Sequence, residues 1–232
     1  DVIWPTTLGF HHTLSFGDFS LVTQTVLLGR KDWELDWEWA YLAYRPTQNI
    51  TVRAGKIIQP YLMLSQVRHV GLAYPWPLPL FDLYGLESDV GGIDLIYRRP
   101  IGEWDMVLNP FFIKDVDVNE TMGEQAGVQV TFLKGDWLEF WFMFSQHIFS
   151  GDSLVQGLNE FGYDLFVQAG LPAPYAAALV SDLVNSKYFY EPSYFHRPAI
   201  GFRYEDNDIY LMGHYARHYG TRLSSDLMVW YL

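Results

Sequence analysis

The sequence predicts an all-β chain whose antiparallel strands form a transmembrane β-barrel. Three observations predict it: strict apolar/acidic alternation in one long strand, connections that alternate short and long, and an aromatic-rich composition whose mean hydropathy is zero. Between Asp32 and Tyr44 the chain reads DWELDWEWAYLAY. Trp33, Leu35, Trp37, Trp39, Tyr41 and Ala43 share one face of a strand, and Asp32, Glu34, Asp36 and Glu38 share the other. Such period-two alternation marks a strand between two different environments. A soluble core would have to pack three tryptophans in a row. Lipid on one side and water on the other accept both faces as they stand.

The composition fits this reading. Half of the 232 residues (50%) are apolar and 18% are aromatic, as expected when lipid-facing and lumen-facing positions average out along each strand. No apolar run approaches the roughly 18 residues of a membrane-spanning helix; the best stretch, Val70 to Phe81, is broken by Pro75, Pro77 and Pro79. Lipid tolerates no open sheet edge, so a strand-built span requires closure. The absence of cysteine excludes disulfides and thiolate metal sites. A net charge of −12 argues against nucleic acid. With no initiator Met and no signal peptide, the chain reads as a mature form or a fragment.

Alternation and turn residues place eleven strands at about 7–15, 19–28, 33–44, 50–57, 89–98, 104–114, 124–133, 137–148, 194–205, 208–219 and 225–232. Tight turns are expected at Gly17-Asp18, Arg45 to Asn49, Arg99 to Glu103, Lys134-Gly135-Asp136 and Asp206-Asn207-Asp208, where Gly, Pro, Asn and Asp supply the turn chemistry. Between them fall longer connections: Gly29 to Asp32, 58–88, 115–123, 149–193 and Gly220 to Ser224. Short turns on one rim and long loops on the other are the layout of an outer-membrane barrel. Eleven is odd, whereas bacterial single-chain barrels have even counts. The expectation is therefore a further N-terminal strand or a miscount, and about 12 to 18 strands in a full chain. One domain spans 1–232. Within it, 149–193 carries helix-like spacing at Leu154, Leu158, Phe161 and Leu165 and again at Ala176, Leu179, Val180 and Leu183.

Residues 51–97 contain TVRAGKIIQPYLMLSQVRHVGLAYPWPLPLFDLYGL followed by GGIDLIY. This resembles the Gram-negative trimeric diffusion porins, at Arg53, Gly55, Lys56, Pro60, Ser65, Gly71, Tyr74, Trp76, Pro79, Tyr84, Gly92, Asp94 and Tyr97. The match covers about a fifth of the chain. The chain is short for that group, and its final Trp230-Tyr231-Leu232 lacks the terminal Phe usual there. The resemblance implies a homotrimeric channel whose third long loop folds inward. On that expectation 58–88 is the constriction loop, with Arg68, His69, Asp82 and Glu87 as candidates for its tip.

Strand parity assigns the lumen face independently. Asp32, Glu34, Asp36 and Glu38 point inward, with Arg53 on the following hairpin strand, then Asp94, Arg98, Asp105, Gln129, Glu139, Arg203 and His214. Acidic groups outnumber basic ones, which predicts a weak cation preference, since carboxylate rings favour cations. The same ladder also suits a solvated rim, because carboxylates about 6–7 Å apart repel one another. Trp33, Trp37, Trp39, Trp104, Trp137, Phe140, Phe142 and Phe144 read as lipid face and interfacial girdle.

No enzymatic reading survives. His11-His12 and His214/His218 lack metal-ligand spacing on a strand, where i and i+4 lie about 13 Å apart. Ser145 and His147 share a face, but at about 6.5 Å along the strand they stand too far apart for a nucleophile and its base. No cofactor is expected. The expected function is an outer-membrane porin passing small hydrophilic solutes or ions passively, in contact with outer-membrane lipid and lipopolysaccharide. Two alternatives are a barrel serving as scaffold or sleeve for a partner protein complex, suggested by 149–193, and a soluble β-sandwich module.

Overall fold

A computed structural model describes residues 7–28, 33–58, 63, 65, 89–114, 124–149, 162–168, 171–184, 193–206, 208–220 and 224–231. The chain forms strands β1 (Thr7–Phe16), β2 (Phe19–Leu28), β3 (Glu34–Thr47), β4 (Ile50–Ile58), β5 (Asp89–Ile101), β6 (Trp104–Lys114), β7 (Glu124–Lys134) and β8 (Leu138–Phe149). Helices α1 (Tyr163–Gln168) and α2 (Ala173–Val184) come next, then β9 (Ser193–Glu205), β10 (Tyr210–Gly220) and β11 (Ser224–Tyr231). All eleven strands belong to one sheet in sequence order, each antiparallel to the next. The protein is all-β and antiparallel, with β1 and β11 at the two ends of the strand order.

Two turns are tighter than the sequence predicts. β3 runs on to Thr47, which pairs with Ile50, and β5 runs on to Ile101, which pairs with Trp104. Pro46 and Pro100 suggested early strand ends, yet each lies one residue inside its strand terminus, where a missing N–H costs little ladder. Gly102 closes the second turn at φ 63°, a value glycine adopts without strain.

The largest difference from simple alternation lies in β3. Gln24 pairs with Trp39 and Thr25 with Trp37, so Glu38 is an extra residue, a β-bulge. One inserted residue reverses the parity of everything after it. Leu35 and Trp37 therefore share the exposed apolar face with Leu42 and Tyr44. Trp39, Tyr41 and Ala43, expected on that face, stand on the opposite one, beside His11, Gln24 and Arg53.

Beyond the bulge the two faces separate consistently. One exposes large apolar side chains from β1 to β9, among them Phe10, Leu14, Leu21, Ile93, Phe142 and Ile200. The other holds the buried residues of both kinds: Val26, Ile113, Trp141 and Met212, with Gln24, Asp94, Asn109 and Ser145.

This second face is concave. A single ladder row runs Lys56, Gly91, Lys114, Glu124, Ile148, Tyr194. Ile58 lies two residues to one side of it and Gly201 seven to the other. In a flat sheet these two residues would be about 38 Å apart, from five strand spacings and nine residue rises. The five residues from Ile58 to Met63 span at most about 18 Å. Met63 nevertheless packs against Trp141, Met143, Ala199 and Ala216, and a Cβ at Gly201 would stand 2.5 Å from its Sδ. The sheet therefore curls until β4 and β9 approach each other across its inner side.

In the insertion between β8 and β9, α2 forms where Ala176, Leu179, Val180 and Leu183 predict a helix, started by hydrogen bonds from Tyr175 and Ala176 N–H to Pro172 O. Leu154, Leu158 and Phe161 lie outside the described residues.

Candidate functional site

Two charge pairs on the concave face join neighbouring strands. Arg53 on β4 and Asp94 on β5 are direct cross-strand partners. Arg53 Nε donates to Asp94 Oδ1 at 2.9 Å, and Nη2 donates to Oδ2 alongside it. The pair is fork-on-fork, with side chains 14% and 3% exposed. Such bidentate geometry is what offsets the desolvation of two charges. The guanidinium also lies over the Tyr41 ring, 5.3 Å from its centroid. Beneath it, Tyr41 rests on a cluster of Ile57, Phe111 and Ile113.

A second pair sits four strands along, between β8 and β9. Arg203 on β9 donates from Nε to Glu139 Oε2 at 3.1 Å and from Nη1 to Glu205 Oε2 at 3.4 Å. Glu139 and Arg203 are again directly opposite across the ladder. Lys56 Nζ approaches Asp36 Oδ1 at 3.8 Å. The charges that parity assigned inward are thus largely opposed to one another rather than left as bare rings.

The structure sets Arg53 against Asp94, and places Asp36 and Glu38 several residues further along β3; Glu139, Arg203 and His214 share another sector. Glu38 and His214 are buried, at 3% exposure each. Arg98 and Asp105 are exposed near the short-turn rim. Glu34 is placed by its backbone alone, opposite Leu28. Asp32 and the loop candidates Arg68, His69, Asp82 and Glu87 lie outside the described residues. So does most of 58–88. Its described residues Met63 and Ser65 are half-buried and fully buried, and Met63 lies against the concave face.

Several inner-face groups escaped parity reasoning. Trp39 and Tyr41 did so because the bulge is invisible to alternation. His11 meets Trp39 edge-on, ring centroids 5.6 Å apart at 89°. Arg197, buried on the face of Arg203, is six residues before it and was within reach of parity. Gln125 is 1% exposed, and neither amide atom has a hydrogen-bond partner among the described residues.

Ser145 Oγ and His147 Nε2 lean to 3.4 Å, closer than strand rise alone suggests but at the outer limit of a hydrogen bond. Among the described residues no group of three or more His, Cys, Asp or Glu could hold a metal ion.

On the convex face, aromatics mark the short-turn rim. Phe16 stacks on Phe19 and Phe19 on Tyr44, at 5.9 and 4.7 Å. Trp104 meets Phe140 and Trp137 meets Tyr204, both at 5.9 Å. Lys134 Nζ sits over Trp104 and Trp137 and pairs with Glu103 at 2.7 Å.

No family model matches the chain, and no curated protein matches its sequence.

Proposed function

We propose that the chain forms a β-barrel channel of the Gram-negative outer membrane and passes small hydrophilic solutes or ions passively. One observation carries this reading: a continuous apolar face stays exposed across the curled sheet while the paired charges line its concave side. Water-soluble monomers rarely expose an apolar surface of that extent, and lipid is the solvent that makes it favourable. The height agrees. Tyr194 and Tyr204 on β9 are ten residues apart on the convex face. At ordinary strand rise and a tilt of about 40° they stand about 25 Å apart along the normal, the height of an outer-membrane apolar band. The aromatic rim, with Lys134 reaching from it, suits the interfacial belt.

In this reading 58–88 narrows the lumen, Asp36, Glu38, Arg53, Asp94, Arg98, Glu139, Arg203 and His214 line it, and a homotrimer is the assembly. A weak cation preference belongs to the same reading, drawn from the carboxylates on the inner face, Glu38 and Asp105 among them.

A second reading, a barrel that sleeves a partner protein, draws on the insertion, where Tyr175 on α2 is 70% exposed and Leu179 is exposed beside it in the same helix. The zero-current potential of refolded protein in a planar bilayer under a KCl gradient separates the two. Steady current with a cation-directed potential supports the channel. Inserted protein that passes no current removes it and favours the sleeve.

A further inference from the structure

A thioether sits between an indole and an imidazole on the wall from β8 to β10. Trp141, Gly201 and His214 are consecutive ladder partners across these three strands, on the concave face. Gly201 leaves a gap between the two rings, and Met63 fills it. A Cβ on Gly201 would stand 2.5 Å from Met63 Sδ and 3.1 Å from His214 Cβ. The neighbouring row runs Met143, Ala199, Ala216. Met63 packs against the cluster that these three form with Trp141.

Two thioethers and an imidazole thus surround one spot whose floor is Gly201, Ala199 and Ala216. Trp141, Met143 and His214 are buried and Met63 is half-buried. Hard cations take oxygen ligands, and none of these four side chains carries oxygen. A carboxylate, Glu139, lies two residues from Trp141 along β8, but Arg203 engages it. Thioether sulfur and imidazole nitrogen instead suit a soft monovalent metal ion, Cu(I) or Ag(I), and an indole face adds cation–π attraction. Charge points the same way. Arg203 and Arg197 lie two and four residues from Gly201 along β9, and they repel a single charge less than a double one. Methionine also fills irregular gaps in apolar walls with no ligand involved. Packing asks only for volume, which leucine supplies as well, whereas binding asks for sulfur.

We propose that Met63, Met143 and His214 form a binding site for a soft monovalent cation, Cu(I), with Trp141 as its aromatic wall. Met63 follows β4, five residues after Ile58, while Met143 and His214 stand on β8 and β10. The ion therefore ties together the two sides of the curl. The site needs the curled sheet and no flow of solute, so it goes beyond the channel reading and is tested apart from it.

The test is calorimetric titration of the detergent-purified full chain with silver nitrate in chloride-free buffer, Ag(I) standing in for Cu(I). X-ray absorption at the silver edge then identifies the atoms bound to the metal. The expected result is saturable binding with sulfur among those atoms. Met63→Leu and Met143→Leu, which nearly conserve volume and so keep the fold, each weaken the affinity about tenfold or more. His214→Gln weakens it as well. Met106→Leu, on β6 and outside the cluster, leaves it unchanged. No saturable binding, a silver site without sulfur, or an affinity that Met63→Leu and Met143→Leu leave untouched overturns the site and leaves packing as the role of both methionines. Neither readout involves current, so a failure of the channel reading leaves this result standing.

Discussion

The Arg53 guanidinium grips the Asp94 carboxylate with two hydrogen bonds across the β4–β5 ladder, and the Tyr41 ring covers its other side. Both side chains are withdrawn from water, so removing one strands the other as an uncompensated charge. Asp94→Ala is expected to cost about 3–5 kcal/mol in denaturant unfolding of the detergent-solubilised protein. An Arg53→Met, Asp94→Leu double variant should lose clearly less than either single change, since it buries no lone charge. Equal losses in single and double variants would show that the pair's energy is not electrostatic.

Met63 sits against Gly201, in a notch that only a residue without a side chain leaves open. Gly201→Leu should force Met63 off the β8–β10 wall, at an overpacking cost of about 1–3 kcal/mol. If residues near Met63 narrow the interior, the same variant raises single-channel conductance, and Met63→Ala raises it too. Conductance unchanged in both variants would mean that this contact does not set the width.

Strand order and turn placement were legible because each hairpin announces itself through Gly, Asp and Asn turns and because alternation holds along most strands. Counting in twos put Arg53, Asp94, Glu139, Arg203 and His214 on one common face, and the ladder register sets them on one face of the sheet. What alternation could not show is where the count resets. Glu38 is one residue too many in β3, and no residue type signals it, so Trp39 and Tyr41 were assigned to the wrong side. The pairing of the charges was equally out of reach. It depends on cross-strand register, which puts Arg53 opposite Asp94 and Arg203 opposite Glu139.

The turn between β9 and β10 is built around Asp206. Its carboxylate accepts hydrogen bonds from the Asp208 backbone N–H, the Tyr204 hydroxyl and the Ile209 backbone N–H, and these hold its pKa below the usual 3.8. A depressed folded pKa means that this contribution to stability is present above the unfolded value and is lost as pH falls through the folded one. Carboxyl NMR titration should therefore find Asp206 ionised below pH 3.8. Tyr204→Phe, which removes one donor, should move its midpoint back upward. A midpoint at 3.8 or above in wild type would show that the turn does not hold these bonds in solution.

Phe142 tests whether lipid covers the convex face. It lies midway along β8, 44% exposed, with its ring edge-to-face against Phe132 at 6.3 Å. On a sheet face that meets water, an arginine at so exposed a position would change stability by about 0.5 kcal/mol or less. At the midplane of a bilayer the same arginine costs about 2–4 kcal/mol, because the guanidinium must be carried into hydrocarbon or drag water with it. Phe16, 52% exposed on the same face but beside the Gly17 turn, is the internal control. Near the interface an arginine should cost only about 0–1 kcal/mol. Reversible denaturant unfolding from lipid vesicles gives both numbers on one scale. A large penalty for Phe142→Arg with a small one for Phe16→Arg places β8 across the hydrocarbon core. Two small, equal penalties would put water on that face, and the membrane reading would fall with them.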